Sequence, residues 1–128
     1  MGEYYLGEFE HLVLLAILRL KGEAYGVPIR RTIEERAERP VSFGAVYATL
    51  RRLDSKGLIA GVQQPTQDPA GGRPKTVFRL TGTGAEALRS AQRRLTRMAD
   101  GIGEWRTENQ LVFPRFHGHR VRRFFDPG

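Results

Sequence analysis

The 128-residue chain contains no cysteine. Disulfides, thiolate metal sites and a cysteine nucleophile are therefore excluded, and redox chemistry leaves the compartment open. Histidine is scarce: only His11, His117 and His119 occur. The last two stand two apart with no nearby set of carboxylates or thiols, so no metal centre is expected. Three scattered rings also make no base–nucleophile pair. No glycine-rich phosphate loop follows a strand, and neither H-E-x-x-H nor G-x-S-x-G occurs. Neither an enzyme nor a cofactor is expected. The apolar run Leu12 to Leu18 is too short to span a bilayer. Glu8 and Glu10 precede it, and it lacks the positive flank and small-residue cleavage site of a signal peptide. The expected location is the cytoplasm, with no membrane partner.

What is abundant is positive charge. Lysine and arginine total 21 against 14 acidic residues, a net charge of +7 and a pI of about 10.5. Only Lys21, Lys56 and Lys75 are lysines; the other basic residues are arginines. That bias suits phosphate and base contacts, and it equally suits a GC-rich genome. The excess is unevenly spread. Residues 1–41 hold six basic against seven acidic groups, residues 42–81 six against two, residues 82–105 four against three, and residues 106–128 five against two. A merely solubilising charge would show no such contrast, so a polyanion is the expected partner of residues 42–81 and of the tail. The hydrophobic fraction of 40% allows a small core, which dimerisation would supplement.

Residues 42–58, S-F-G-A-V-Y-A-T-L-R-R-L-D-S-K-G-L, are the centre of the pattern. Ser42 is a good N-cap, and Gly57 followed by Leu58 is a C-terminal stop. Val46, Leu50 and Leu53 fall at i, i+4 and i+7, one apolar stripe at helical period. The opposite face carries Gly44, Ala48, Arg51, Arg52 and Ser55. Upstream, Gly7 to Lys21 is apolar almost all round, so a well-buried helix is expected. A second helix opens at Tyr25-Gly26, points Ile29 and Ile33 inward, and stops at Pro40. Residues 25–57 thus form a helix–turn–helix. Residues 58–62 and 76–80 read as two strands of a hairpin around a long loop, Gln63 to Lys75, whose tip bears Arg73 and Lys75. Thr81 caps a last helix with a near-heptad stripe, Leu88, Ala91, Leu95, Met98 and Ile102. That stripe is too long for a small domain to cover, so part of it should meet a second copy. Residues 106–128 lose periodicity and read as a basic tail, either disordered or ordered only on assembly or binding.

Four segments, L-G-E-F-E-x-L-V-L-L-A-I-L (6–18), A-Y-G-V-P-I (24–29), S-F-G-A-V-Y-A-T-L-R-R-L-D-S-K-G-L-I (42–59) and G-G-R-P-K-T-V-F-R-L-T-x-T-G (71–84), occur in order. Together they resemble the PadR family of bacterial transcriptional regulators, over residues 6 to about 100. The resemblance implies a mainly α fold with a small β-hairpin (α+β). Residues 1–81 would form a winged helix–turn–helix domain that binds double-stranded DNA. Residues 82–105 would form a long C-terminal dimerisation helix, as in short-tailed members, leaving 106–128 without a counterpart. It further implies a homodimer on a palindromic operator, repressing a nearby operon. Phe78 departs from the family, which often has tyrosine there, and Pro74 stiffens the wing tip.

On this basis the candidate DNA-binding residues are Ser42, Gly44, Ala45, Tyr47, Ala48, Arg51, Arg52, Arg73 and Lys75. Gly44, Ala45 and Ala48 are small enough to let the helix approach base edges, whereas Arg51 and Arg52 suit phosphate anchoring. A solvated helix face is the plain alternative for the arginines. Tyr47 is either a phosphate-contacting hydroxyl or a packed ring, and Tyr25 has the same two readings. Leu88, Ala91, Leu95, Met98 and Ile102 are the candidate dimer seam. In the family, aromatic residues near that seam can line a cavity for flat hydrophobic effectors. Trp105 is therefore a candidate effector contact, or else a lid over the edge of the dimer core. An alternative function follows: a sensor that captures a small aromatic effector, with DNA release as its output. His11 is expected to be structural or a surface residue.

Overall fold

The computed structural model describes residues 5–65, 72 and 74–102. They form α1 (Glu8–Leu20), α2 (Gly26–Arg36), α3 (Phe43–Ser55), β1 (Ile59–Gln64), β2 (Lys75–Leu80) and α4 (Gly82–Ala99). This is a mainly α fold with one antiparallel hairpin and a long C-terminal helix. Residues up to Arg93 belong to one compact unit, and residues from Arg94 onward to a second. Among the described residues no helix is long and apolar enough to cross a membrane.

The core of the first unit is built by stripes. Val13, Leu14, Ala16 and Ile17 of α1, Ile29 and Ile33 of α2, and Val46, Leu50 and Leu53 of α3 are all buried in one cluster. Each fully buried aliphatic side chain contributes about 1.5–3 kcal/mol by leaving water. α1 is not buried all round as expected, because Leu15 and Leu18 are 37% and 54% exposed. The packing helices cover one side of α1, and the remaining apolar side forms an open groove of about 590 Å³ with Ile33 and Ala37. The helix ends through two left-handed residues, Lys21 (φ 38°) and Gly22 (φ 91°). α2 ends at Arg36, ahead of Pro40, with left-handed Glu38 (φ 54°) turning the chain.

α3 has both expected terminal signals. The Ser42 hydroxyl accepts the Ala45 N–H at 3.0 Å. At the other end the Gly57 N–H donates to the Asp54 carbonyl at 2.9 Å, and the Leu58 N–H to the Leu53 carbonyl at 3.0 Å. This paired closure requires a left-handed residue, supplied by Gly57 at φ 76°.

The hairpin pairs Ile59 with Leu80 through to Gln64 with Lys75. The strands therefore run further than expected, taking in Gln63, Gln64 and Lys75. Lys75 is a paired strand residue rather than part of the loop tip, because the antiparallel register carries on as far as the backbone groups can pair. The Phe78 N–H also donates to the Ala24 carbonyl at 2.8 Å, tying β2 to the turn before α2.

Thr81 joins hairpin to helix. Its hydroxyl accepts the Gly84 N–H at 3.0 Å and donates to the Gly57 carbonyl at 2.7 Å. Ala87, Leu88 and Ala91 are buried, and His11 Nε2 meets Gln92 Oε1 at 3.0 Å, so His11 is structural. Leu95 and Met98 are 58% and 78% exposed. The helix ends at Ala99 rather than near residue 105, since Gly101 turns the chain at φ 84°. Ile102 thus lies beyond the helix, and is 55% exposed.

Candidate nucleic-acid interface

The site is the solvent face of α3 with the groups that hold it. Because Val46, Thr49, Leu50 and Leu53 point inward, the helical period turns Gly44, Ala45, Ala48 and Arg51 outward. The outer face of the first two turns carries the small residues Gly44, Ala45 and Ala48, flanked by the exposed rings of Phe43 and Tyr47, and no carboxylate. The low relief at Gly44, Ala45 and Ala48 lets a backbone approach the floor of a groove about 12 Å wide.

The turn between α2 and α3 is clamped by an ion pair. Arg30 and Glu34, one turn apart on α2, are 3.4 Å from each other. Arg30 Nε donates to the Val41 carbonyl at 2.8 Å, and Glu34 accepts the Val41 N–H at 3.3 Å. Both backbone groups of Val41 are thereby satisfied, which sets where α3 begins. The same guanidinium sits 4.5 Å from the centre of the Phe43 ring, which stacks on Tyr47 at 6.2 Å and 26°.

Tyr47 is 46% exposed, and its ring end rests against Gly26 in the first turn of α2. A Cβ at Gly26 would lie only 2.6 Å from Tyr47 Cζ, so a side chain there would displace the ring. Tyr25 caps the same helix, and the Lys75 ammonium lies 4.4 Å above its ring. Tyr47, Tyr25 and Lys75 thus converge on the positive N-terminus of α2, a place where an anion is favoured. The Tyr47 ring packs against Phe43 and Gly26 while the residue stays open to water.

A helix–turn–helix followed by a hairpin and a long helix invites comparison with known proteins. The family described as "Transcriptional regulator PadR-like family" matches residues 14–90, more than half of the chain. The chain belongs to that family. Its fold is also that of solved PadR structures. A PadR family transcription regulator from Clostridium difficile superposes with a TM-score of 0.60 at 26% identity, over 83% of this chain and 99% of that one. One from Eggerthella lenta gives 0.56 at 27% identity, over 76% and 84%. A PadR-like regulator from Bacillus cereus gives 0.59 at 23%, over 81% and 90%, and supports the fold alone. No curated protein matches the sequence. The PadR-like family and these neighbours are transcriptional regulators, not enzymes.

Within this PadR-like fold the two arginines of α3 have different surroundings. Arg51 is exposed and has no ion-pair partner among the described residues. Arg52 Nε donates to Glu10 Oε2 at 3.0 Å, and its Nη2 to the buried Thr49 hydroxyl at 3.2 Å. Lys56 Nζ reaches the same Glu10 oxygen at 3.0 Å, while Glu10 Oε1 accepts the Gly7 N–H at 3.0 Å. Burial pushes the Glu10 carboxyl up. The hydrogen bonds from Lys56, Gly7 and Arg52, with the Lys56 charge, outweigh it and hold its pKa below the usual carboxylate value.

Other expected positions divide. Ser42 spends its hydroxyl on the cap. Leu88 and Ala91 are buried within this chain, Leu88 as part of the hydrophobic core cluster. Leu95, Met98 and Ile102 stay exposed. Arg73, Trp105, His117, His119 and the tail 106–128 lie outside the described residues. Among those described, no group of three metal-binding side chains occurs. Sequence reasoning missed Glu10, Arg30 and Glu34. A glutamate three residues past Gly7 was a visible capping signal for the first bond, but its reach across to α3 was not.

Proposed function

We propose that this chain is a homodimeric, sequence-specific DNA-binding repressor acting in the cytoplasm. The observation that carries the reading is the exposed face of α3, small at Gly44, Ala45 and Ala48 and cationic at Arg51. That face would read base edges in a major groove, with Arg51 and Arg52 on phosphates. Tyr25, Tyr47 and Lys75 would hold flanking backbone from the α2 terminus, and Arg73 would contact DNA from the wing. Exposed Leu95 and Met98 on α4, with exposed Ile102 beyond it, support self-association, since apolar side chains left in water favour a protein partner. Two-fold symmetry then requires a palindromic operator with half-sites about one turn, ~10 bp, apart or a multiple of it.

Selection of bound sequences from random duplex DNA tests this. The expected product is a palindrome bound more weakly as salt rises. Enrichment of no motif would overturn sequence-specific binding. The sensing role is a second reading, in which a flat hydrophobic effector held near Trp105 and the exposed α4 stripe lowers DNA affinity. Trp105 fluorescence quenched by such compounds, with release of the operator, supports it. Unchanged fluorescence across a panel counts against it.

A further inference from the structure

We infer that Glu10 is a specificity-determining residue of the interface. From its buried place on α1 it competes with DNA phosphate for Arg52 and Lys56, and so restrains sequence-independent binding. This role rests on the DNA-binding reading proposed above.

The asymmetry of exposure motivates it. The Glu10 side chain is 8% exposed, while those of Arg52 and Lys56 are 52% and 32% exposed. The anion is inside and its two cations reach out, Arg52 from the last turn of α3 and Lys56 from its C-cap. Glu10 is too buried to repel DNA by contact, yet its charge balances cations that a phosphate would otherwise find unbalanced. Its second oxygen is held by Gly7, so the carboxylate is fixed in place. Arg52 is further fixed by Thr49, so its Nε and Nη2 are tied to the protein while the side chain stays half-exposed. Arg51, the adjacent residue, has no such restraint among the described residues.

Sequence-independent affinity comes from neutralising phosphates and releasing counterions. A cation already paired to a buried carboxylate releases little when DNA arrives. Specificity is the difference between operator and random affinity, so muting a cation sharpens it. In the operator complex the same pairing holds Arg52 in one orientation, and there its loss removes positioning as well as restraint. Loss of Glu10 should therefore raise random-duplex affinity more than operator affinity.

The test uses the full chain, a selected operator and a scrambled duplex, with affinity measured by anisotropy across a salt series. Glu10→Gln keeps the shape and removes the charge. It should bind the scrambled duplex about three- to tenfold more tightly at low salt, with a log–log salt slope steeper by about one to two. The operator-to-scrambled ratio should fall. Adding Arg52→Ala should remove most of the gain. In the unmodified Glu10 background, Arg51→Ala should flatten the slope more than Arg52→Ala, and this comparison decides the matter if Glu10→Gln fails to fold. A Glu10→Gln slope equal to wild type, or equal losses from the two arginines, would overturn the role of Glu10 alone. A wild-type chain that binds no duplex would overturn the DNA reading along with it.

Discussion

α3 and α4 are both amphipathic helices, and they dispose of their faces in opposite ways. In α3 the apolar stripe Val46, Leu50 and Leu53 is completely buried, and the open face is small and cationic. In α4 the stripe is buried only in its first half, at Leu88 and Ala91, and runs on exposed through Leu95 and Met98. A helix that has satisfied its apolar side and shows charge is suited to a charged ligand. One that leaves apolar side chains in water is suited to another protein surface. The same element type thus presents two different surfaces, and what distinguishes them is which face the fold leaves uncovered.

The contrast can be broken most forcefully in the α3 core. Leu53→Ala should cost about 3 kcal/mol of stability, from lost burial and the cavity left behind, measured by chemical denaturation. A cost under 1 kcal/mol would mean that α3 is not held by its stripe.

Next is the link between α1 and α3. Glu10→Gln should cost about 1.5 kcal/mol at neutral pH, as charged hydrogen bonds to a buried carboxylate are lost. Its folded pKa is lowered from 4.5, so the stabilisation is present above that value and disappears as pH falls through the lower, folded-state value. Wild type and variant should therefore converge in stability in acid. A gap that persists there would assign the loss to shape rather than charge.

A smaller effect belongs to the start of α3. Ser42→Ala removes the bond to the Ala45 N–H and should cost about 1 kcal/mol, visible as a lowered thermal midpoint.

The smallest effect on the subunit itself sharpens the α4 side. Leu95→Glu should alter the stability of the winged domain by less than about 0.5 kcal/mol, because the side chain is exposed. It should nonetheless shift the chain from dimer to monomer in sedimentation equilibrium. A dimer unchanged by Leu95→Glu would place self-association elsewhere.

Much of this was legible before any coordinates. The caps of α3, the inward triad and the small outer face all follow from the 3.6-residue period and from end signals lying within a few residues of each other. The exposure of Leu15 and Leu18 is not legible in the sequence, because an apolar side chain does not announce whether a neighbour will cover it. Lys75 was assigned to the loop because a hairpin register is set by pairing across two strands, while turn composition is a property of one. The helix end at Ala99 was overlooked although Gly101 marked it, since the apolar spacing continued to Ile102.

By itself the sequence determined element type, order and amphipathic direction, because these depend on local backbone preference and on side-chain period. It also concentrated positive charge in residues 42–81 and 106–128. Only the tertiary structure decided the rest: that Glu10 on α1 engages Arg52 of α3 and Lys56 at its C-cap, that Lys75 covers Tyr25, and that the α4 stripe divides at Ala91. Each is a meeting of groups far apart along the chain or a question of which surface is covered. Both depend on how helices pack in three dimensions, which no local spacing encodes.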